Sequence, residues 1–509
     1  EIDPLGYATT YTYDGANNLI SKTDANGKQI TYTYDALNRL IQKTYPDGTT
    51  ETFTYDPKGN ILTAANVSIG YTFAYDAANR ITTVTDSTGK AINYEYDANG
   101  NRKKMILPGG NTTTYTYDPA NRPSQIQIGA GTFVITYDSS GQRISIAYPN
   151  GTSTTYTYDG AGRATSLLTK NSSASIIDSY TYTYDKVANR LSMTEPAGPH
   201  NYTYDKIYQL KQAMHPAITT ENYNYDAVGN RAAQTVDTAN RLLEDISFTF
   251  TYDNNGNLIT KTNKTTGALT QYFWDYENRL KKIIRTDATV VRYIYDPFGR
   301  RIKKNINGVV TKYLYDNEDI VLEYDGTGAV AARYTHGPGI DEPLSIVKGG
   351  VRYYYHADAL GSIKALTNSA GSIIKTYNYK AYGAIASQTG TLVQPYTFTG
   401  REYDSEIGMY FYRGRYYFPR AGRFISKDPI GFAGGDVNLY RMVGNNPVNF
   451  VDPLGLIMAI FEAGNNRLTI FSNEGNFLGQ YDARNLVTRD SKGQFPAGMY
   501  DFGEPRGPR

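Results

Sequence analysis

The stretch "ITYTYDALNRLIQKTYPDGT" (residues 30–49) alternates Ile30, Tyr32 and Tyr34 with Thr31 and Thr33. A period of two in β-branched and aromatic residues predicts a β-strand. "DALN" follows as a turn, with Asp35 placed to accept hydrogen bonds from backbone N–H groups ahead of it. "RLIQKTY" reads as the returning strand, and Asp47-Gly48 closes the unit with a hairpin signal. The unit recurs. Its Tyr-Asp dyads end at Asp14, Asp35, Asp56, Asp76, Asp97, Asp118, Asp138, Asp159, Asp185, Asp205, Asp226 and Asp253, then Asp275 (as Trp-Asp), Asp296 and Asp316. Steps are 20 to 22 residues, with two of about 26 that read as loop insertions. Some fifteen units predict roughly thirty strands of five to seven residues.

So many strands exceed what one open twisted sheet holds before it curls or splits. A sandwich would need a continuous dry face on each sheet, yet both faces here carry Thr, Tyr, Asn, Gln and Lys. The pattern predicts an all-β protein, a large spiral of antiparallel β-hairpins one strand thick. Tyrosine ladders between neighbouring strands would add about 0.2–1 kcal/mol per pair.

Composition sharpens this picture. Tyrosine occurs 49 times against 18 phenylalanines and one tryptophan, which suits half-wet surfaces. Charge is balanced, 51 basic against 49 acidic residues, which argues against nucleic-acid binding by the shell through a general basic field. The absence of cysteine excludes disulfides and thiolate chemistry within the chain. No apolar run is long enough for a membrane helix and no signal peptide opens the chain. Its start already reads as mid-repeat, as in a fragment of a longer protein. His200, His215, His336 and His356 lack metal spacing with Glu or one another, so no metal and no cofactor is expected. "DNNGN" (253–257) and "DANGN" (97–101) lack the closing acidic ligand of calcium loops and read as turns with a left-handed Gly. "RRIKKN" (300–305) reads as a solvated strand face.

The dyads resemble the YD repeats of Rhs proteins, of the C components of Tc insecticidal toxins and of teneurins. "YYYHADALGSIKALTNSAGSIIKTYNYKAYG" (353–383) is similar to an Rhs pattern, and "YTFTGREYDSEIGMYFYRGRYYFPRAGRFISKDPIGFAGGDVNLYRMVGNNPVNFVDPLGL" (396–456) to the Rhs-associated core. The resemblance implies a hollow shell wound from the repeats (1–335), a core segment that spirals inward to cap it (336–456), and a variable toxic segment within (457–509). It also implies that the core cuts its own chain after Asp-Pro-x-Gly-Leu, here between Leu456 and Ile457.

Peptide hydrolysis without metal or thiol calls for two carboxylates about one water, one ionised and one protonated. By resemblance the pair is Asp428 and Asp452, with Asp436 a third candidate and Arg423 placed to orient a carboxylate or stabilise the oxyanion. Each Asp-Pro also reads as a plain corner, a common turn start. Residues 457–509 resemble the opening of an L,D-transpeptidase-like toxin domain, which works through a later His and Cys absent here. The implied function is a self-processing, secreted or cell-surface bacterial shell that delivers its own C-terminal toxin segment, as in interbacterial (type VI) or insecticidal systems. Its partners would be that segment, an N-terminal delivery module or secretion-spike protein, and an immunity protein. The rival reading is a cell-surface adhesion or carbohydrate-binding scaffold.

Overall fold

A computed structural model describes residues 1–456 and the backbone of three antiparallel strands beyond them, Met458–Glu462, Arg467–Phe471 and Phe477–Asp482. Each repeat folds as the pattern predicts. Gln29–Tyr34 pairs antiparallel with Leu40–Thr44, and the register shifts between Thr33 and Tyr34. That bulge goes with a left-handed Asn38, at φ 59°. Asp35 Oδ1 accepts the N–H groups of Leu37 and Arg39, and Oδ2 accepts Arg39 Nε at 2.7 Å. The loops at 97–101 and 253–257 are turns of the same kind, with Gly100 and Gly256 at positive φ.

Successive repeats are latched to one another. Arg39 donates to the carbonyl of Asp56 in the next turn and lies 4.7 Å over the ring of Tyr55. Tyr55 in turn donates its hydroxyl to Leu40 O at 2.8 Å. The same exchange joins Arg80 with Tyr96, Arg122 with Tyr137 and Arg163 with Tyr184. In these repeats Arg–Tyr stacks and hydroxyl-to-carbonyl bonds join the turns, while a cross-strand tyrosine ladder of the expected kind runs through Tyr403, Tyr410 and Tyr417 further along the chain. Tyrosines also stack along single strands, as in Tyr180–Tyr182 and Tyr377–Tyr379, and across distant segments, as in Tyr45–Tyr276.

The repeats build two sheets of 21 and 16 strands. The first ends at Glu221–Asn222 and the second runs from Thr235 to Thr389 without a break at residue 336. Neither long step is a loop insertion. Between Asp159 and Asp185 the extra length goes into strands Ala164–Lys170 and Ile176–Tyr184. Between Asp226 and Asp253 it forms an additional turn, Asp237–Arg241, with the same Asp–Arg bond at 2.7 Å and Val236 replacing tyrosine.

The second sheet runs beside the first as a second lap. Asn255 reaches Asp24, Lys43 reaches Glu277, and Tyr71 reaches Asp296. Touching residues lie 227–234 positions apart where the second lap begins. Further on, at Ala359 with Tyr182 and Ala381 with Glu221, they lie 177 and 160 apart. The second lap therefore covers its arc with fewer residues than the first. The spiral tightens.

Both faces were expected to be polar, but buried apolar positions of the first lap gather with those of the second. Ile92, Tyr94, Met105 and Leu107 pack with Leu314, Val321, Leu322 and Tyr324. The tightening lap ends in a four-stranded sheet, Glu402–Asp404, Met409–Tyr412, Arg415–Phe418 and Arg423–Phe424. Its rings are dry, Tyr410, Tyr412 and Tyr417 being fully buried. Residues 438–449 fasten it to the first lap, through Asn438 to Asn230, Asn445 to Gln209 and Asn449 to Tyr204.

The solvated face expected at 300–305 is instead a buried clamp on this sheet. Arg301, 1% exposed, donates to Asp404 and, at 2.6 Å, to Glu402, while Lys304 reaches Asp404 at 3.0 Å. Burial would raise the Asp404 carboxyl, but Arg301 and Lys304 outweigh it and hold it at about 2.

Buried and exposed pairs should differ sharply on mutation. Lys43, 1% exposed, lies between Glu51 at 3.3 Å and Glu277 at 3.0 Å. Lys43→Met removes the cation between them, leaving Glu51 only Arg279 at 3.8 Å and Glu277 the Tyr45 hydroxyl at 3.0 Å, and should cost about 3–5 kcal/mol in chemical denaturation. Arg163→Ala, which removes a more exposed pair with Asp159 together with the Tyr184 stack and the bond to Asp185 O, should cost less, about 1–2 kcal/mol.

A candidate two-carboxylate site

The hairpin of the core sheet turns at Arg413-Gly414, with Arg413 at φ 56°, and sends Arg415 inward at the head of the returning strand. The segment 452–456 lies along this turn. Gly414 N–H donates to Leu454 O at 3.0 Å, and Arg413 donates to Pro453 O. Gly455 has φ 71°, and a Cβ there would sit 2.3 Å from Tyr412 O, so only glycine lets the terminus approach so closely. Leu456 is buried.

Asp428 and Asp452 converge on Arg415. Its Nη2 lies 2.9 Å from Asp428 Oδ2 and 3.5 Å from Asp452 Oδ2. Both acids also serve as corners. Asp428 Oδ1 accepts the Ile430 N–H at 3.0 Å, and Asp452 Oδ1 accepts the Leu456 N–H at 2.9 Å. The corner reading and the chemical reading of each Asp-Pro are therefore compatible. The loop after Asp428 passes the Leu456 carbonyl, so that a Cβ on Gly434 would lie 3.4 Å from its oxygen.

Burial pushes the Asp428 carboxyl up to about 7; Arg415 pulls against this, and the charges of Asp452 and Asp436 add to it. Near neutral pH the site thus holds a carboxyl that exchanges its proton, beside a second carboxyl. A carboxyl so tuned is what general acid–base work requires.

The other candidates lie apart. Asp436 bonds Arg441 Nε at 2.6 Å and caps the Asn438 N–H, reaching Asp428 only through its field. Arg423 donates to Asn240 O and lies over the Tyr440 ring, so the guanidinium at the carboxylates belongs to Arg415 instead. Sequence reasoning missed Arg415 because its partners lie far along the chain. The available signal was a cation inside the aromatic run "YFYRGRYYF". Ile457 lies outside the described residues.

Two histidines that the spacing left apart do meet. His200 and His215 face each other, Nδ1 to Nδ1, at 2.7 Å, with Glu195 and Glu221 each 3.0 Å from a ring Nε2. Among the described residues no group of three acidic, His or Cys side chains could hold a metal. Among them, too, no helix is long and apolar enough to cross a membrane.

Fold and site together define a spiral β-shell whose tightening end carries a buried pair of carboxylates against its own terminal loop. The chain belongs to the Teneurin YD-shell family, whose profile matches residues 8–197 and 186–448. It is 31% identical over 275 residues to the tRNA3(Ser)-specific nuclease WapA of Bacillus spizizenii, covering 50% of this chain and 12% of that protein. It is 28% identical over 319 residues to the double-stranded DNA deaminase toxin A of Burkholderia cenocepacia, covering 54% and 22%. The chain thus spans under a quarter of either relative. In the crystal structure of TcdB2-TccC3-Cdc42 the same fold recurs, with TM-score 0.69 and 19% identity over 88% of this chain and 27% of that one.

A raised carboxyl makes stability depend on pH. Asp428 keeps its proton in the folded state where the unfolded chain, with an ordinary value of 3.8, has lost it. Its contribution is full below about 4 and is lost as pH rises through about 7, a swing of a few kcal/mol at most. Asp428→Asn, which cannot ionise, should gain stability relative to the wild type between pH 4 and 8. Denaturation curves at both ends of that window measure it; a constant difference would contradict the assignment.

Proposed function

We propose that this chain is the wall and cap of a secreted bacterial shell that carries a C-terminal toxin segment and cuts its own chain after Leu456. In this reading residues 1–335 are the wall, 336–456 the capping core and 457–509 the start of the cargo. The observation that carries it is the convergence of Asp428 and Asp452 on the segment ending at Leu456. Two relatives with toxin or nuclease names lend support, and so does the likeness to a Tc toxin structure.

A water attacks the Leu456 carbonyl carbon while Asp452 takes one of its protons. Asp428 gives its proton to the departing nitrogen of Ile457. The C–N bond breaks, leaving a Leu456 carboxyl and a free amine, and the two acids exchange their protonation states. Scissile bond and acids share one folded chain, so orientation is prepaid and turnover is single.

The test is a denaturing gel of the purified chain. A fragment of roughly 6 kDa should separate from the rest of the 56.6 kDa chain, scaled by residue number. Asp428→Asn and Asp452→Asn should each abolish it. Cleavage followed after cell-free synthesis should slow as pH rises above about 7, because Asp428 then lacks the proton it must donate. An uncut wild-type chain that binds glycans would favour the adhesion reading instead.

A further inference from the structure

We infer that the His200–His215 pair is a pH-sensitive latch on the seam between the two laps, closed only while the two rings together carry one positive charge. This needs the fold alone and is independent of the self-cleavage reading. The rings meet edge to face, 5.0 Å apart at 81°, with Nδ1 to Nδ1 at 2.7 Å. At that distance one nitrogen donates and the other accepts, so a single proton lies between them. On the far sides Glu195 Oε1 lies 3.0 Å from His200 Nε2, and Glu221 Oε2 lies 3.0 Å from His215 Nε2. Burial would raise Glu195, but His200 and Lys364 outweigh it and hold it at about 2. Glu221 is lowered too: burial opposes, while His215, the Ala381 N–H and the Tyr223 hydroxyl pull it down. An ionised carboxylate against a buried ring nitrogen requires a proton on that nitrogen. Three protons on four nitrogens make one imidazole and one imidazolium.

The same two carboxylates hold the second lap. Glu195 Oε2 takes Lys364 Nζ at 3.1 Å, and Glu221 Oε2 accepts the Ala381 N–H at 2.8 Å. With Glu195, Glu221, Lys364 and the singly charged pair, the cluster is neutral. A second proton would set two imidazoliums Nδ1 to Nδ1, and loss of the first would set two lone pairs there. Either way a ring turns out, and the glutamate beside it loses its place against the second lap.

Other groups face the cavity that the pair lines. Arg190 from the first lap and Lys380 from the second add positive field against a further proton, and Asp358 favours one. Tyr202 and Tyr379 stay neutral, since burial lifts both hydroxyls above their ordinary range. The core brings Phe398, Pro447 and Val448, which carry no charge. Two acids titrate nearby with the opposite sign. Burial pushes Asp178 up to about 6, against Tyr180 and Lys364, and raises Asp358 against Lys364 and Arg190. A raised carboxyl contributes most at low pH, so both acids tighten their surroundings on acidification where the histidines loosen theirs.

Once the rings are turned out to water, two ordinary histidines share one proton at about pH 6.5 and hold two in acid. The closed pair holds one. Opening therefore takes up a proton below that pH and releases one above it, and its equilibrium constant should rise about tenfold from pH 6.5 to pH 5, and likewise to pH 8. Hydrogen exchange of the full chain, read by mass spectrometry at the three pH values and corrected for intrinsic rates, measures this in peptides spanning 198–215 and 378–384. Wild type should be best protected there at pH 6.5. The double variant His200→Gln with His215→Gln should lose that optimum and keep only the drift due to the acids. Should the double variant fail to fold, wild type still decides: the optimum must be missing from peptides spanning Lys43 and Glu277, a seam without histidine. A monotonic wild-type profile, an optimum shared by that distant seam, or one that survives in the folded double variant would overturn the inference.

Discussion

The wall depends on one exchange between neighbouring turns. An aspartate folds its own turn and holds an arginine, which stacks on the next repeat's tyrosine and bonds its backbone, or in intervening turns an asparagine, which reaches the next turn's asparagine side chain. That tyrosine then donates to a carbonyl of the repeat before. Each contact is small, since partly exposed ion pairs and stacks contribute little singly. Repetition makes them a spring of uniform pitch, with stability summed over nearest neighbours as in other repeat proteins.

Between laps the interactions are of another kind. Lys43 with Glu51 and Glu277, and Arg102 with Asp316, are side chains hundreds of residues apart meeting in buried or half-buried surroundings. Such pairs add little net stability against apolar replacements but are costly to break on one side. They serve to fix which turn of the second lap meets which turn of the first. The falling separation between partners then brings the spiral to a close, and the core sheet fills that end with tyrosine rings and the Arg301 clamp.

The candidate site grows out of the same economy. Asp428 and Asp452 each close an Asp-Pro corner with one carboxylate oxygen and turn the other toward Arg415. Taking these corners out of water raises the proton affinity of Asp428. A fold that tightens on itself thus produces, at its end, a dry place with tuned acids next to its own chain.

Local pattern alone set the strand alternation, the Asp turns, the glycine or asparagine at their left-handed corners and the all-β class, because these depend on residues within one hairpin. Asp428 and Asp452 became candidates through the family resemblance, while the local pattern read their Asp-Pro dipeptides as corners, which they also are. It misplaced Arg423, overlooked Arg415 and took Arg301 and Lys304 for a wet surface. Their partners are chosen by the narrowing of the second lap over the first, a property of the whole wound chain that no window of twenty residues contains. The apolar contact between laps was invisible for the same reason. Which face of a strand is dry depends on what the spiral brings over it.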